Sequence, residues 1–134
     1  MYTNFNSLFD DFFDAFNNAS LRVPPVDVYE MEDGYYIDVE LPGYKNDDVD
    51  VKIDNNALTL STSEEYNKAL DKEAESVNYL VKETNAKKKF KRTFSLPKDV
   101  DEQAISATFN NGILNIKLPK SKKLAPKTIE ILTQ

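Results

Sequence analysis

The sequence predicts an all-β domain, an antiparallel β-sandwich, with a short helical arm before it and an extended tail after it. Two observations carry this. From residue 26 onward apolar residues recur at every second position, the period of a strand with one buried and one wet face. Turn-forming pairs interrupt that pattern at close intervals, at Asp33-Gly34, Asn55-Asn56 and Asn111-Gly112, with no long helix between them; several short strands joined by tight turns pack as two sheets.

The arm comes first. In "NFNSLFDDFFDAFN" the residues Phe5, Leu8, Phe9, Phe12, Phe13 and Phe16 fall on one face of a helix, and Asp10, Asp11 and Asp14 fill the other. So short a helix is marginal in water unless it packs on something. Two occupants fit: its own domain, or partners and unfolded chains that accept a phenylalanine-rich face. Pro24 and Pro25 end this segment, since neither continues a helix, and the domain is expected to begin at 26.

The strands follow in order. "VDVYEM" leads through Asp33-Gly34 into "YYIDVEL", where Tyr35, Ile37, Val39 and Leu41 share a face. "PGYKND" is a polar connection. "DVDVKID" sets Val49, Val51 and Ile53 against alternating acids and Lys52, and after Asn55-Asn56 "ALTLSTS" presents Leu58 and Leu60. Residues 64–78 lose the alternation; they are charged, and Glu64 and Lys68 stand at helical spacing, enough for a turn of helix. "YLVKE" at 79–83 is strand-like but isolated in this excursion. In "KFKRTFSLP" the residues Phe90, Arg92, Phe94 and Leu96 share a face, and a charge there must be paired or must reach an edge. "ISATFNNGILNIKLP" is a hairpin, with Ile105, Ala107 and Phe109 facing Leu114, Ile116 and Leu118 across Asn111-Gly112. "KSKKLAPK" is a linker without core pattern, and "TIEIL" places Ile129 and Ile131 on one side of an extended chain.

Composition narrows the function. The 134 residues include no cysteine and no histidine, which removes disulfides, thiolate chemistry and the commonest general base and zinc ligand. Gly34, Gly43 and Gly112 cannot make a dinucleotide fingerprint or a phosphate loop, and no nucleophile elbow occurs. The acids at 47–54 miss the EF-hand spacing and read as the wet face of a strand. No catalytic residue, metal site or cofactor is expected, and the protein is not expected to be an enzyme. The net charge of −6 disfavours nucleic acid; it is unevenly spread, with −8 over residues 26–63 and +3 over 119–134, a balance suited to self-association. No apolar run reaches the ~18 residues of a membrane span, no signal peptide is evident, and a reducing, cytoplasmic setting is expected.

These residues resemble a known family. "ATFNNGILNIKLP" is similar to the A-x-x-x-n-G-v-L signature of the α-crystallin domain of small heat-shock proteins, bacterial type. The stretch from Val26 to Ser61, with Leu41-Pro42-Gly43, resembles the first half of that domain. "FKRTFSLP" resembles its F-x-R-x-F-x-L-P strand, with Arg92 on the signature arginine, and Ile129-Glu130-Ile131 resembles its I-x-I motif. The chain departs from the pattern before Phe90, where a glycine is frequent and "NAKKKF" stands instead, so a different turn is expected there.

The resemblance implies an immunoglobulin-like sandwich and an ATP-independent holdase chaperone, which keeps unfolding proteins soluble and passes them to ATP-dependent refolding chaperones. It implies three parts: an aromatic arm at 1–25 that binds clients, an α-crystallin domain at 26–119, and a tail at 120–134. It further implies dimers formed when the loop at 64–87 lends its strand to a neighbour, with Tyr79, Val81 and Arg92 at the interface and Arg92 paired with a carboxylate. Oligomers of these dimers are then joined by Ile129 and Ile131 in a groove of another subunit, between the strands carrying Val49, Val51 and Ile53 and those carrying Ile105 and Ala107. A co-chaperone of the CS-domain type shares the sandwich and is the alternative; it usually lacks both the exchange loop and the I-x-I tail.

Overall fold

In a computed structural model that describes residues 24–84, 87–121 and 128–133, the alternating segments form seven strands in two antiparallel sheets. Strands β1 (Val26–Met31), β2 (Gly34–Glu40), β6 (Ser106–Asn110) and β7 (Ile113–Pro119) make the larger sheet in the order β1-β2-β7-β6. Strands β3 (Val49–Asp54), β4 (Ala57–Thr62) and β5 (Lys91–Ser95) make the smaller one. The sandwich read from the sequence is the fold observed.

Register shows how the period of two sorts the chain. Val28, Ile37, Ile116 and Ala107 lie in one cross-strand row, and Val26, Val39, Leu114 and Phe109 in the next. In the smaller sheet Leu58 sits between Ile53 and Phe94, and Leu60 between Val51 and Arg92. Directly opposed residues share a face, so these rows turn inward together. Ile37, Val39, Leu41, Leu58, Leu60, Phe94 and Ile116 are all fully buried, each contributing roughly 1.5–3 kcal/mol gross by leaving water.

Two of the three turns use the expected chemistry. Asn55 and Asn56 have φ of 49° and 62°, and Asn111 and Gly112 have 52° and 78°, the paired left-handed conformations of a type I′ hairpin. The first hairpin differs. Its turn residues are Glu32 and Asp33, and Gly34 opens β2. Gly34 is needed for close approach instead: a Cβ there would stand 2.5 Å from the Leu118 carbonyl oxygen on β7.

The charged excursion forms more helix than one turn. Helix α1 spans Glu64–Ser76, with Ser63 as N-cap accepting from the Tyr66 N–H at 3.2 Å. Glu64 and Glu65 occupy its first turn, where the helix dipole favours acids, and Lys68 pairs with Glu64 at 3.3 Å. Tyr66 anchors the helix: its ring packs 5.4 Å from that of Tyr44, which meets Phe90 edge-on at 5.6 Å. Burial, and then the neighbouring Tyr44, raises the Tyr66 hydroxyl above its ordinary pKa.

Before β5, Lys87 takes φ of 58°, the left-handed region usually given to glycine and costing a side-chain-bearing residue roughly 1–2 kcal/mol. Its ammonium pairs with Glu73 of α1 at 3.1 Å, and Lys89 pairs with Asp71 at 2.6 Å. The chain therefore keeps a left-handed residue there without the glycine and ties the return of the excursion to the helix.

Gly34→Ala is expected to destabilise the domain by about 2 kcal/mol or more, because the added methyl meets β7 backbone that can move only by parting the sheet. Urea unfolding followed by far-UV circular dichroism measures it; an unchanged midpoint would show that the sheet yields freely.

Candidate functional site

Two kinds of feature remain unsatisfied by the fold, open sheet edges and exposed apolar segments, and one buried charge, Arg92, lies in the core between the sheets. Among the described residues β1 and β6 each pair on one side only, and so do β3 and β5. Such edges present rows of free N–H and C=O groups that another strand can complete.

Arg92 orients the two sheets. It stands opposite Leu60 in the core and is 2% exposed. Its Nη1 donates to the Pro24 carbonyl at 3.0 Å, and its guanidinium lies 4.9 Å from the centre of the Phe94 ring. Pro24 directly precedes β1, so the β5 edge of the small sheet lies over the β1 side of the large one. That leaves β3 over the β6 side. The residues expected to form a groove therefore lie on one flank of the sandwich. Val49, Val51, Ile53 and Ile105 are half-buried and packed against the core. Ala107 is exposed although it pairs with the fully buried Ile116. It thus faces the same side as Ile116 at the rim of the sheet.

On the opposite flank Val26 and Val28 of β1 are likewise half-buried. Between α1 and β5 the segment 77–84 forms no strand with its own chain. Tyr79 is 44% exposed, Val81 73% and Leu80 92%. Tyr79 and Val81 thus stand together on an uncovered segment, away from the core that holds Arg92. Leu80 adds apolar area that the period-2 reading of Tyr79 and Val81 passed over.

The tail is equally uncovered. Ile129 is 78% exposed and Ile131 93%. Leu132, not singled out in the sequence, is 78% exposed; an apolar residue immediately after the I-x-I motif was the available signal. The tail root, by contrast, is held. The Lys120 N–H donates to the Asp33 carbonyl at 3.0 Å, and the Asp101 N–H donates to the Pro119 carbonyl at 2.8 Å. The Ser121 N–H donates to the Asp99 carbonyl, and the Lys120 ammonium meets Glu30 at 2.8 Å. Asp99 also accepts from the Tyr35 hydroxyl at 2.9 Å; burial, then this carboxylate, raises the Tyr35 pKa. These long-range partners carry no sequence pattern and were missed for that reason. The arm residues Phe5, Leu8, Phe9, Phe12, Phe13 and Phe16 lie outside the described residues, as do 122–127.

Charge gathers beside one end of β3. An open hollow of about 490 Å³ beside Val49 is lined by Asp47, Asp50, Glu64 and Glu65. Among the described residues no three metal-ligating side chains come together, and no helix is long and apolar enough to cross a membrane.

Known proteins share this architecture. A family model for the Hsp20/alpha crystallin family matches residues 27–132. Small heat shock protein C4 of Rickettsia felis is 37% identical, over 97% of this chain and 84% of its own. Heat shock protein 16.0 of Schizosaccharomyces pombe superposes with a TM-score of 0.64 at 32% identity, covering 98% of both chains. A small heat-shock protein of Xylella fastidiosa, described as having a distinct high order structure, superposes at 0.62 and 25% identity, covering 84% of this chain and 99% of its own.

Arg92→Ala is expected to cost about 3 kcal/mol, because it empties a core site and strips a buried carbonyl of its donor. Differential scanning calorimetry would report it as a lowered Tm; an unshifted Tm would mean that the guanidinium contributes nothing to the core.

Proposed function

The chain belongs to the Hsp20/alpha crystallin family of small heat-shock proteins, a non-enzymatic chaperone family associated with stress, and from that premise we propose that it is an ATP-independent holdase that binds unfolding proteins in the cytoplasm and assembles into oligomers of dimers. The observation that carries this reading is the combination of a finished core with unfinished edges. Seven strands bury a closed interior, while apolar residues beside β1 and β3 stay half-covered and two apolar segments of the same chain stand exposed.

The dimer is built by exchange: Tyr79 and Val81 bring the 77–84 segment of one copy to the open β1 edge of another, where Val26 and Val28 await cover. Arg92 supports that flank through Pro24, just ahead of β1. The tail builds the oligomer by strand addition, with Ile129 and Ile131 entering the flank formed by Val49, Val51, Ile53, Ile105 and Ala107. Two buried isoleucines contribute about 3–6 kcal/mol gross before ordering costs, too little for a permanent contact but enough when repeated around an assembly. Clients are captured by the arm at 1–25, whose phenylalanines offer large apolar area with little directional demand. ATP-dependent chaperones downstream receive what the holdase keeps soluble.

The direct test is light scattering of a heated reporter protein without ATP: this chain should suppress the rise at near-equimolar subunit ratio, and no suppression at any ratio would reject the holdase reading. Ile129→Ala with Ile131→Ala should reduce the native mass to that of dimers, whereas elution at the wild-type size would remove the tail from assembly. Phe9→Ser, Phe12→Ser and Phe13→Ser together should weaken suppression several-fold while the dimer stays folded. Unchanged suppression by that triple variant would place client binding elsewhere.

A further inference from the structure

The excursion between β4 and β5 is closed at its base. The Thr62 N–H donates to the Phe90 carbonyl at 3.0 Å, and the Phe90 N–H donates to the Thr62 hydroxyl at 3.3 Å. The Tyr44 hydroxyl donates to the Lys88 carbonyl at 2.7 Å, and its ring packs on Tyr66 in the first turn of α1. The chain therefore leaves and re-enters the sandwich at one place. Helix α1 runs from that base for 13 residues, about 20 Å. Val77 ends it in extended conformation, with its N–H donating to the Glu73 carbonyl. The chain then comes back along the helix, since Lys87 pairs with Glu73 and Lys89 with Asp71.

The segment 77–84 is not equally free along this path. Leu80 and Val81 are 92% and 73% exposed, whereas more than half of Tyr79 is covered. Tyr79 lines a hollow of about 230 Å³ with Leu70 and Ala74 of α1 and with Lys82 and Lys87. The Lys82 ammonium lies 4.8 Å from the centre of the Tyr79 ring, a cation–π contact. The Glu73 carboxylate, and after it the nearby Tyr79, raises the Lys87 ammonium above its ordinary pKa. Tyr66, Leu70 and Ala74 recur every fourth residue and so form one stripe on α1. Tyr44 covers the first of them, and the hollow with Tyr79 opens on the other two.

Tyr79 is thus claimed twice. Assembly by exchange places Tyr79 and Val81, from one side of the extended segment, at the β1 edge of another copy. One ring cannot fill both places. We propose that α1 is an intramolecular seat for the exchange segment: in a separated chain Tyr79 parks against Leu70 and Ala74, and it must leave that seat before the segment pairs with a second copy. The proposal rests on the strand-exchange reading above and adds the contact that opposes exchange.

The seat is weak by construction. The Glu73–Lys87 and Asp71–Lys89 pairs are at the surface, where ion pairs contribute little, so they guide the returning chain more than they hold it. Ala74 offers one methyl group, and Tyr79 keeps 44% of its surface in water. Separated chains then divide into a parked and a competent population, and the apparent dimer affinity falls by the competent fraction. Parking also withdraws one of the segment's three large apolar side chains while no partner is present.

The chain contains no cysteine, so an introduced pair reports parking without background. Ala74→Cys with Lys82→Cys places one thiol on each side of the hollow and leaves Tyr79 and Val81 in place. A short bismaleimide added to the dilute full-length protein should link the two within one chain. The linked chains should stay monomeric by native mass spectrometry after reconcentration, while the same variant without the linker assembles. Leu70→Ala removes the floor of the seat and keeps a strong helix former. It should lower the concentration at which half the chains are separated roughly three- to tenfold. A dimer unchanged or weakened by Leu70→Ala would make α1 a mere support and overturn the proposal, as would the absence of any link within one chain. Val81 is not among the walls of the hollow, so Val81→Asp opposes exchange alone and should give monomers that still accept the link. If Val81→Asp gives monomers but linked chains assemble normally, the seat is refuted and strand exchange stands. If Val81→Asp leaves the native mass unchanged, strand exchange fails and the seat with it.

Discussion

An open β-sheet leaves unpaired N–H and C=O groups along each outer strand, and this sandwich has two open sheets. Those groups remain solvated in a lone chain, yet they are also templates for any extended peptide. The rest of the architecture follows from how the four outer strands are treated. β3 alternates Asp50, Lys52 and Asp54 outward with Val49, Val51 and Ile53 inward, so its outer face resists indiscriminate pairing while its inner row accepts apolar side chains. β1 keeps Val26 and Val28 half-covered. The sandwich's central strands β2, β7 and β4 are paired on both sides, whereas its outer strands are paired on one side only among the described residues.

Arg92 connects the core to this behaviour. A guanidinium in an apolar interior is costly unless its hydrogen bonds are met, and the donation to Pro24 draws the chain ahead of β1 down onto β5. The sheets are thereby stacked with β5 over β1, and β3 is left beside β6. The relative placement of the two flanks, to which the proposed function assigns the exchanged segment and the tail, follows that stacking.

Much of this was legible in the sequence because the signals are local. Alternation identified Tyr35, Ile37, Val39, Leu58, Leu60, Phe94 and Ile116 as inward, and asparagine-rich turns marked two hairpins. The Asp33-Gly34 pair located a hairpin but suggested the wrong cause: the glycine is required by the approach of Leu118 from β7, a contact 84 positions away in the chain that no local pattern encodes. Helix α1 was underestimated because its stability derives from the Ser63 cap and from Tyr66 packing on Tyr44. Both are tertiary or single-residue features that dilute in a charged stretch. The tail root escaped notice for the same reason, since backbone hydrogen bonds from Lys120 and Ser121 do not depend on side-chain type. The I-x-I motif was visible, but the hollow that brings Asp47, Asp50, Glu64 and Glu65 together from either side of β4 was not, because it depends on the fold.

The contrast between apolar and charged contributions bears on how a holdase is regulated. In the proposed docking, contact between the isoleucines and the β3 flank would be short-ranged and insensitive to salt, and would decide whether a tail binds. Attraction between tail lysines and carboxylates of a neighbour would extend about 8–10 Å at ordinary ionic strength and would act on how quickly a tail arrives. Separating these roles allows the assembly to remain specific while each contact stays weak. If the isoleucine contacts alone were strengthened, tails would dissociate too slowly to expose an arm during heating. If charge alone held the tail, added salt would dissolve the assembly. A tail that docks through two isoleucines and carries lysines before them would lie between these limits, and the unfavourable entropy of ordering it would loosen the contact as temperature rises without any change in the folded domain.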